Sequence, residues 1–272
     1  MVKNKQKEAK LIMFLEERHQ AILEHIKEHG RISIGEIQEK FDMSADSARR
    51  DLRQLEERGL LKRTHGGAIP LQQVAMCPPR VRPVITPETA WPNYRAIAKR
   101  AAAMIEPNDC VYLTGGSFGG TILEFLPQNF VYTLVVNSVD LANNLKLYDN
   151  LKVYMVGGLM RMHSGAHIVD SFATAFVKNL HFDLALLTGA GFDAAFGLTN
   201  GTDETATFQR AVMQNSRRKV ALMPSHKIGF RAFIKVADAA RFDAVITDWD
   251  APEDELQKIE EWGVEIIVVE KL

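Results

Sequence analysis

Ser44-Ala45-Asp46-Ser47-Ala48-Arg49-Arg50-Asp51-Leu52-Arg53-Gln54-Leu55-Glu56, followed by Gly59-Leu60-Leu61-Lys62-Arg63-Thr64-His65-Gly66-Gly67-Ala68, is the stretch on which the reading of this chain turns. Ala48, Leu52 and Leu55 fall at i, i+4 and i+7, which gives a helix one apolar face. Ser44 is a natural N-cap for it. Arg49, Arg50 and Arg53 then point outward, with Ala45, Asp46 and Ser47 near the first turn. Upstream, Ser33 to Phe41 spaces Ile34, Ile37 and Phe41 as a second short amphipathic helix, and Asp42-Met43 makes a tight break between the two. Arginines on a helix surface are more often solvated than functional. Here cap, turn, arginine pair and a basic Gly-Gly tip coincide at the spacing of a winged helix-turn-helix with a recognition helix. Ser44, Ser47, Arg49, Arg50, Arg53, Lys62, Arg63, His65, Gly66 and Gly67 form the expected contact set for double-stranded DNA.

Working outward, residues 5–29 read as one long helix stopped by Gly30. Residues 1–15 are expected to be an extension and 16–69 the winged helix. Prolines at 70, 78, 79, 83, 87 and 92 deny regular structure to residues 70–92, which read as an extended linker. From 93 to 272, near-continuous apolar strands alternate with helices. Strands are expected at 110–114, 132–136, 152–156, 183–188, 219–223, 243–247 and 264–269. That pattern predicts an α/β domain with a mostly parallel sheet covered on both faces.

Composition limits the partners. The chain has 272 residues and a formal net charge of −1. Residues 1–70 hold 14 Lys+Arg against 12 Asp+Glu and the remainder 19 against 22, so no bulk basic field draws nucleic acid. DNA binding must rest on a local patch, doubled by self-association. Cys77 and Cys110 stand apart, with no metal-ligand spacing, so neither metal nor cofactor is expected. No apolar run reaches the length of a membrane span and no signal-peptide core is present, which makes the cytoplasm the expected compartment.

Ligands of open parallel sheets bind beyond the C-terminal strand ends. There this chain places Gly115-Gly116-Ser117-Phe118, Asn137-Ser138, Gly157-Gly158, Gly189 and Lys227, with Glu204 and Arg231 nearby. Glycine turns expose backbone N–H groups that could cradle a phosphate, with Lys227 as counter-charge. Gly189-Ala190-Gly191-Phe192-Asp193-Ala194 also fits a dinucleotide fingerprint, but residues 195–201 read as a loop where that motif needs a helix.

The first stretch resembles the DeoR family of bacterial transcriptional regulators. Ser44, Arg49, Arg50, Asp51, Leu52, Leu55, Glu56, Gly59, Leu61, Arg63, His65, Gly66, Gly67 and Ala68 match the family's motif, and Ser47-Ala48 replaces Thr-Ile. The larger domain resembles the family's effector domain, similar to the ribose-5-phosphate isomerase and CoA-transferase fold, at Gly116-Ser117, Asn137-Ser138, Gly157-Gly158, Gly165, Asp203-Glu204, Ser225, Lys227 and 246–248. The resemblance implies a repressor of carbohydrate metabolism that senses a phosphorylated sugar and forms a homodimer or homotetramer. Thr114 stands where the family usually has Asp. The alternative is a sugar-phosphate isomerase or acyl transferase with Asp203, Glu204 and Lys227 as its acid/base set.

Overall fold

The computed structural model describes residues 15–64, 66–70, 91–116, 118–161 and 167–271. The N-terminal extension, apart from Leu15, and nearly all of the Pro-rich linker lie outside the described residues, as do His65, Cys77, Ser117 and Gly165. The chain divides into two compact units, residues 1–71 and 72–272.

The first unit runs α1 (Leu15–His29), β1 (Ile32–Ser33), α2 (Ile34–Phe41), α3 (Ala45–Glu57), β2 (Leu61–Thr64) and β3 (Gly67–Pro70). Ser33 caps α2 in a capping box with Glu36, and Asp42 ends it in the left-handed conformation. The Ser44 hydroxyl accepts from the Ser47 N–H and caps α3. The strands form a three-stranded antiparallel sheet in the order β1-β3-β2. Ala48, Leu52 and Leu55 pack with Ile22, Ile26 and Ile37 in the core. Burying each large side chain contributes roughly 1.5–3 kcal/mol. That closes a winged helix.

The second unit begins with α4 (Pro92–Ala102), β4 (Cys110–Leu113), α5 (Gly119–Ile122), β5 (Tyr132–Val136), α6 (Val139–Leu145) and β6 (Leu151–Met155). A hairpin of β7 (Met160–Arg161) and β8 (His167–Ile168) precedes α7 (Ser171–Val177) and β9 (Phe182–Leu187). Next come β10 (Gly191–Asp193), β11 (Gly197–Asn200), α8 (Asp203–Gln214), β12 (Ser216–Leu222) and β13 (Ile234–Ala237). The unit closes with β14 (Ala244–Asp248), α9 (Glu253–Glu260) and β15 (Glu265–Val269).

Seven strands form one sheet in the order β15-β14-β12-β9-β4-β5-β6, every neighbouring pair parallel. Apolar clusters bury both faces. Val111, Leu113 and Leu134 lie in one, and Tyr112, Val135 and Ala185 in the other. This two-sided burial is why the strands read as continuous apolar runs. Pro92, expected in the linker, instead sits in the first turn of α4, where its missing N–H costs nothing. The expected loop at 195–201 also needs correction. Gly197 turns at φ +75 and residues 197–200 form β11, which pairs with β10 and β13.

Candidate DNA interface and effector site

Arg49, Arg50 and Arg53 are exposed on α3, as the apolar spacing requires. Arg49 Nη1 lies 3.0 Å from Asp46 Oδ1, an exposed pair on the first turn. Asp51, on the same helix, is buried at 3% exposure. Its Oδ2 accepts from Arg18 Nε of α1 at 2.6 Å, and its Oδ1 lies 3.7 Å from His19 Nε2. Asp51 therefore ties the recognition helix to α1. Burial pushes the His19 pKa down, against the pull of Asp51.

The wing is less free than the sequence implies. Arg63 donates from Nε to Glu56 Oε2 at 2.6 Å, and its backbone N–H donates to Glu56 Oε1 at 2.9 Å. The last turn of α3 thus clamps β2, and Arg63 is a strut as well as a wing cation. Gly67 is buried, and a Cβ there would stand 2.0 Å from the Ile32 carbonyl oxygen. Its place is the close pairing of β3 with β1, not the DNA-facing surface. Lys62 is half-buried and Gly66 exposed.

In the larger unit the chain enters the sheet at β4, builds β5 and β6 on one side, then crosses to β9 on the other. The strand order reverses between β4 and β9, the position at which such sheets open a crevice. Thr114-Gly115-Gly116 leaves β4 there and Thr188-Gly189 leaves β9. A Cβ on Gly116 would lie 3.1 Å from Thr188 Cγ2, and one on Gly115 only 2.4 Å from Ser138 Cβ and 2.9 Å from His167 Nε2. Gly115, Gly116, Ser138, Thr188 and His167 therefore converge at the strand ends. Gly157 and Gly158 are exposed beyond β6. Ser225 is 1% exposed, and its hydroxyl has no hydrogen-bond partner among the described residues.

The sequence does not single out His167, because it is a lone histidine in an undistinguished segment. Burial holds its pKa below the ordinary histidine value, opposed by the Gly115 backbone. Arg161 escapes notice for the same reason. It reaches Glu204 Oε2 at 2.7 Å and the Thr202 and Thr205 hydroxyls at 3.2 Å, fastening the hairpin to the start of α8.

Several predicted site residues are committed elsewhere. Phe118 is fully buried and stacks on Tyr94 at 4.9 Å. Asn137 accepts from the Tyr112 hydroxyl and donates to the Ile168 carbonyl, so it is a buried cross-link. Gly189 is buried against Leu198. Arg231 is paired with Asp193 at 2.6 Å and lies over the Phe196 ring. Lys227 is 4% exposed in the turn after β12. Asp203 and Glu204 are exposed on α8, where they line part of a cleft of about 400 Å³ together with Asp170, Ser171, Thr174 and Lys178 of α7 and its approach. Among the described residues no group of three His, Cys, Asp or Glu is arranged to hold a metal.

Residues 18–74 match the DeoR-like helix-turn-helix domain, and residues 93–249 match the DeoR C terminal sensor domain. The chain belongs to the DeoR family of transcriptional regulators. It is 29% identical to the HTH-type transcriptional regulator GlpR of Haloferax volcanii, covering 92% of this chain and 96% of the relative. It is 25% identical to the glycerol-3-phosphate regulon repressor of Escherichia coli strain K12, covering 92% and 97%. Ribose 5-phosphate isomerase A from Methanocaldococcus jannaschii overlays loosely, with 14% identity and a TM-score of 0.35 over 49% of this chain and 52% of that one. The DeoR-family regulator reading displaces the enzyme alternative. Among the described residues no helix is long and apolar enough to cross a membrane.

Proposed function

We propose that this protein is a cytoplasmic repressor of a carbohydrate operon, acting as a homo-oligomer and controlled by a phosphorylated sugar or polyol at the strand-end crevice. The observation that carries the effector reading is the convergence of Gly115, Gly116, Ser138, Thr188 and His167 at the reversal of strand order. Turn amides and an imidazole N–H suit the oxygens of an anionic group there. The name of the glycerol-3-phosphate regulon repressor supports a phosphorylated ligand. Such a ligand alters operator affinity only by binding the two DNA-linked states unequally.

Thermal unfolding followed by tryptophan fluorescence tests this, because Trp91, Trp249 and Trp262 all lie in the larger unit. A phosphorylated ligand at a hundredfold excess over its dissociation constant stabilises that unit by about 2.7 kcal/mol. The shift disappears in Gly115→Ala, whose Cβ collides with Ser138 and His167. No shift with any phosphorylated sugar or polyol refutes the effector assignment. For the DNA interface, Arg50→Ala weakens operator binding in a retardation titration by roughly 1–3 kcal/mol if it reads a base edge. Unchanged affinity would remove Arg50 from the contact set.

A further inference from the structure

The seven-stranded sheet ends on β6, and this edge has an unusual character. Lys152, Val153 and Tyr154 are all exposed, Val153 at 38% and Tyr154 at 53%, although a parallel sheet covered by helices normally buries such strands. Among the described residues no strand pairs with its outer side. Val156 N–H donates to the Val136 carbonyl at 2.9 Å, which turns the even-numbered amides of this segment towards β5. By alternation the N–H and C=O groups of Leu151, Val153 and Met155 point outward. An open edge of this kind is a template for another strand.

We infer that β6 is the contact between two copies of this chain, joined antiparallel across a two-fold axis through Val153. The strand reads Leu151-Lys152-Val153-Tyr154-Met155, and it complements itself when reversed. With Val153 opposite Val153 of the second copy, Leu151 meets Met155 and Lys152 meets Tyr154. Register with β5 places Leu151, Val153 and Met155 on the face shared by Tyr132, Leu134 and Val136, and Lys152 and Tyr154 on the other. One face of the joint is therefore wholly apolar. The other sets each ammonium beside a tyrosine ring, with no like charges opposed. The outward groups of Val153 make a hydrogen-bonded pair, and Lys152 and Tyr154 fall at the closer, non-bonded pair. Any other register in this antiparallel arrangement leaves part of this complement unmatched. Two copies carry two recognition helices, the arrangement by which helix-turn-helix dimers read paired half-sites. The inference supplies the surface for the self-association proposed above and does not depend on the effector site.

Two measurements on the full chain without ligand test it. In the first, mass is followed by light scattering across a dilution series. Tyr154→Lys sets a second ammonium against Lys152 of the other copy and halves the mass at concentrations where the parent is associated. Adding Lys152→Glu restores a complementary pair and recovers the mass. In the second, Val153→Cys forms a disulfide-linked dimer under mild oxidation that the parent does not form, since antiparallel bonded partners lie about 5.5 Å apart at Cα, within disulfide range. Lys152→Cys, displaced from the axis, does not link. A chain that is monomeric throughout overturns the inference. So does a mass unmoved by Tyr154→Lys, or one lost instead on Phe172→Ser of the exposed face of α7. A null ligand screen leaves these results unchanged, so failure here and failure of the effector assignment are separable.

Discussion

Replacing Asp51 by Asn separates the stability of the winged helix from that of the sensor unit. Asp51 is 3% exposed and bound to Arg18 Nε at 2.6 Å, with His19 at 3.7 Å, so its charge is answered inside the protein. Breaking a fully buried pair costs about 3–5 kcal/mol, and losing a hydrogen bond to a charged group about 1.5–3. The Arg18 side chain keeps 20% of its exposure and can turn to water, and Asn retains an acceptor of the same shape. The expected loss is therefore about 2–3 kcal/mol. Against roughly 0.05–0.15 kcal/mol per residue, that is a large share of the stability of so small a unit. Urea slopes near 1 kcal/mol/M for small domains turn it into a midpoint shift of about 2–3 M. Every tryptophan and tyrosine of the chain lies beyond residue 90, so intrinsic fluorescence follows only the larger unit. Far-UV circular dichroism follows both. The substitution splits the two curves, moving the dichroism transition of the winged helix and leaving the fluorescence transition in place. A shift below about 0.5 kcal/mol, or equal shifts by both probes, refutes the assignment of Asp51 as the tie between α1 and the recognition helix.

The winged helix also loses stability in acid, in two stages read by the same dichroism transition. Burial lowers the His19 pKa, so the folded unit favours the neutral ring; this contribution is complete above 6.5 and declines as pH falls below it. Glu36 and Glu56 are both pushed up by burial, but hydrogen bonds from Ser33 and Arg63 outweigh that and lower them. Their contribution holds above 4.5 and is lost as pH falls through the lowered values. Loss beginning only on the alkaline side would contradict all three assignments. Glu56→Gln costs less than about 1 kcal/mol, because both side chains of the Arg63 pair are about one-third exposed. Glu56→Ala, which removes the acceptor as well as the charge, speeds hydrogen exchange at the Arg63 amide, and unchanged exchange would show that Glu56 does not hold the wing.

Local chemistry made the winged helix legible. The 3.6-residue spacing of Ala48, Leu52 and Leu55 fixed which face of α3 is buried and left Arg49, Arg50 and Arg53 in solvent. Ser44 and Gly59 marked its ends because caps and left-handed turns depend on the residues that form them. The parallel sheet was legible for a related reason, since burial on both faces leaves continuous apolar runs. Strand order was not, because hydrogen bonds between β4 and β9 join residues some seventy positions apart and leave no periodic trace. That order sets β4 beside β9 and so brings Gly116 against Thr188, while His167 reaches Gly115 from the β7–β8 hairpin and Phe118, Asn137 and Gly189 are taken up by contacts inside the fold. Charge partners follow the same rule. The sequence placed Asp51 on the recognition helix, but only folding decided that its buried carboxylate meets Arg18 and His19, because a buried charge is answered by whatever cation the tertiary structure brings to it.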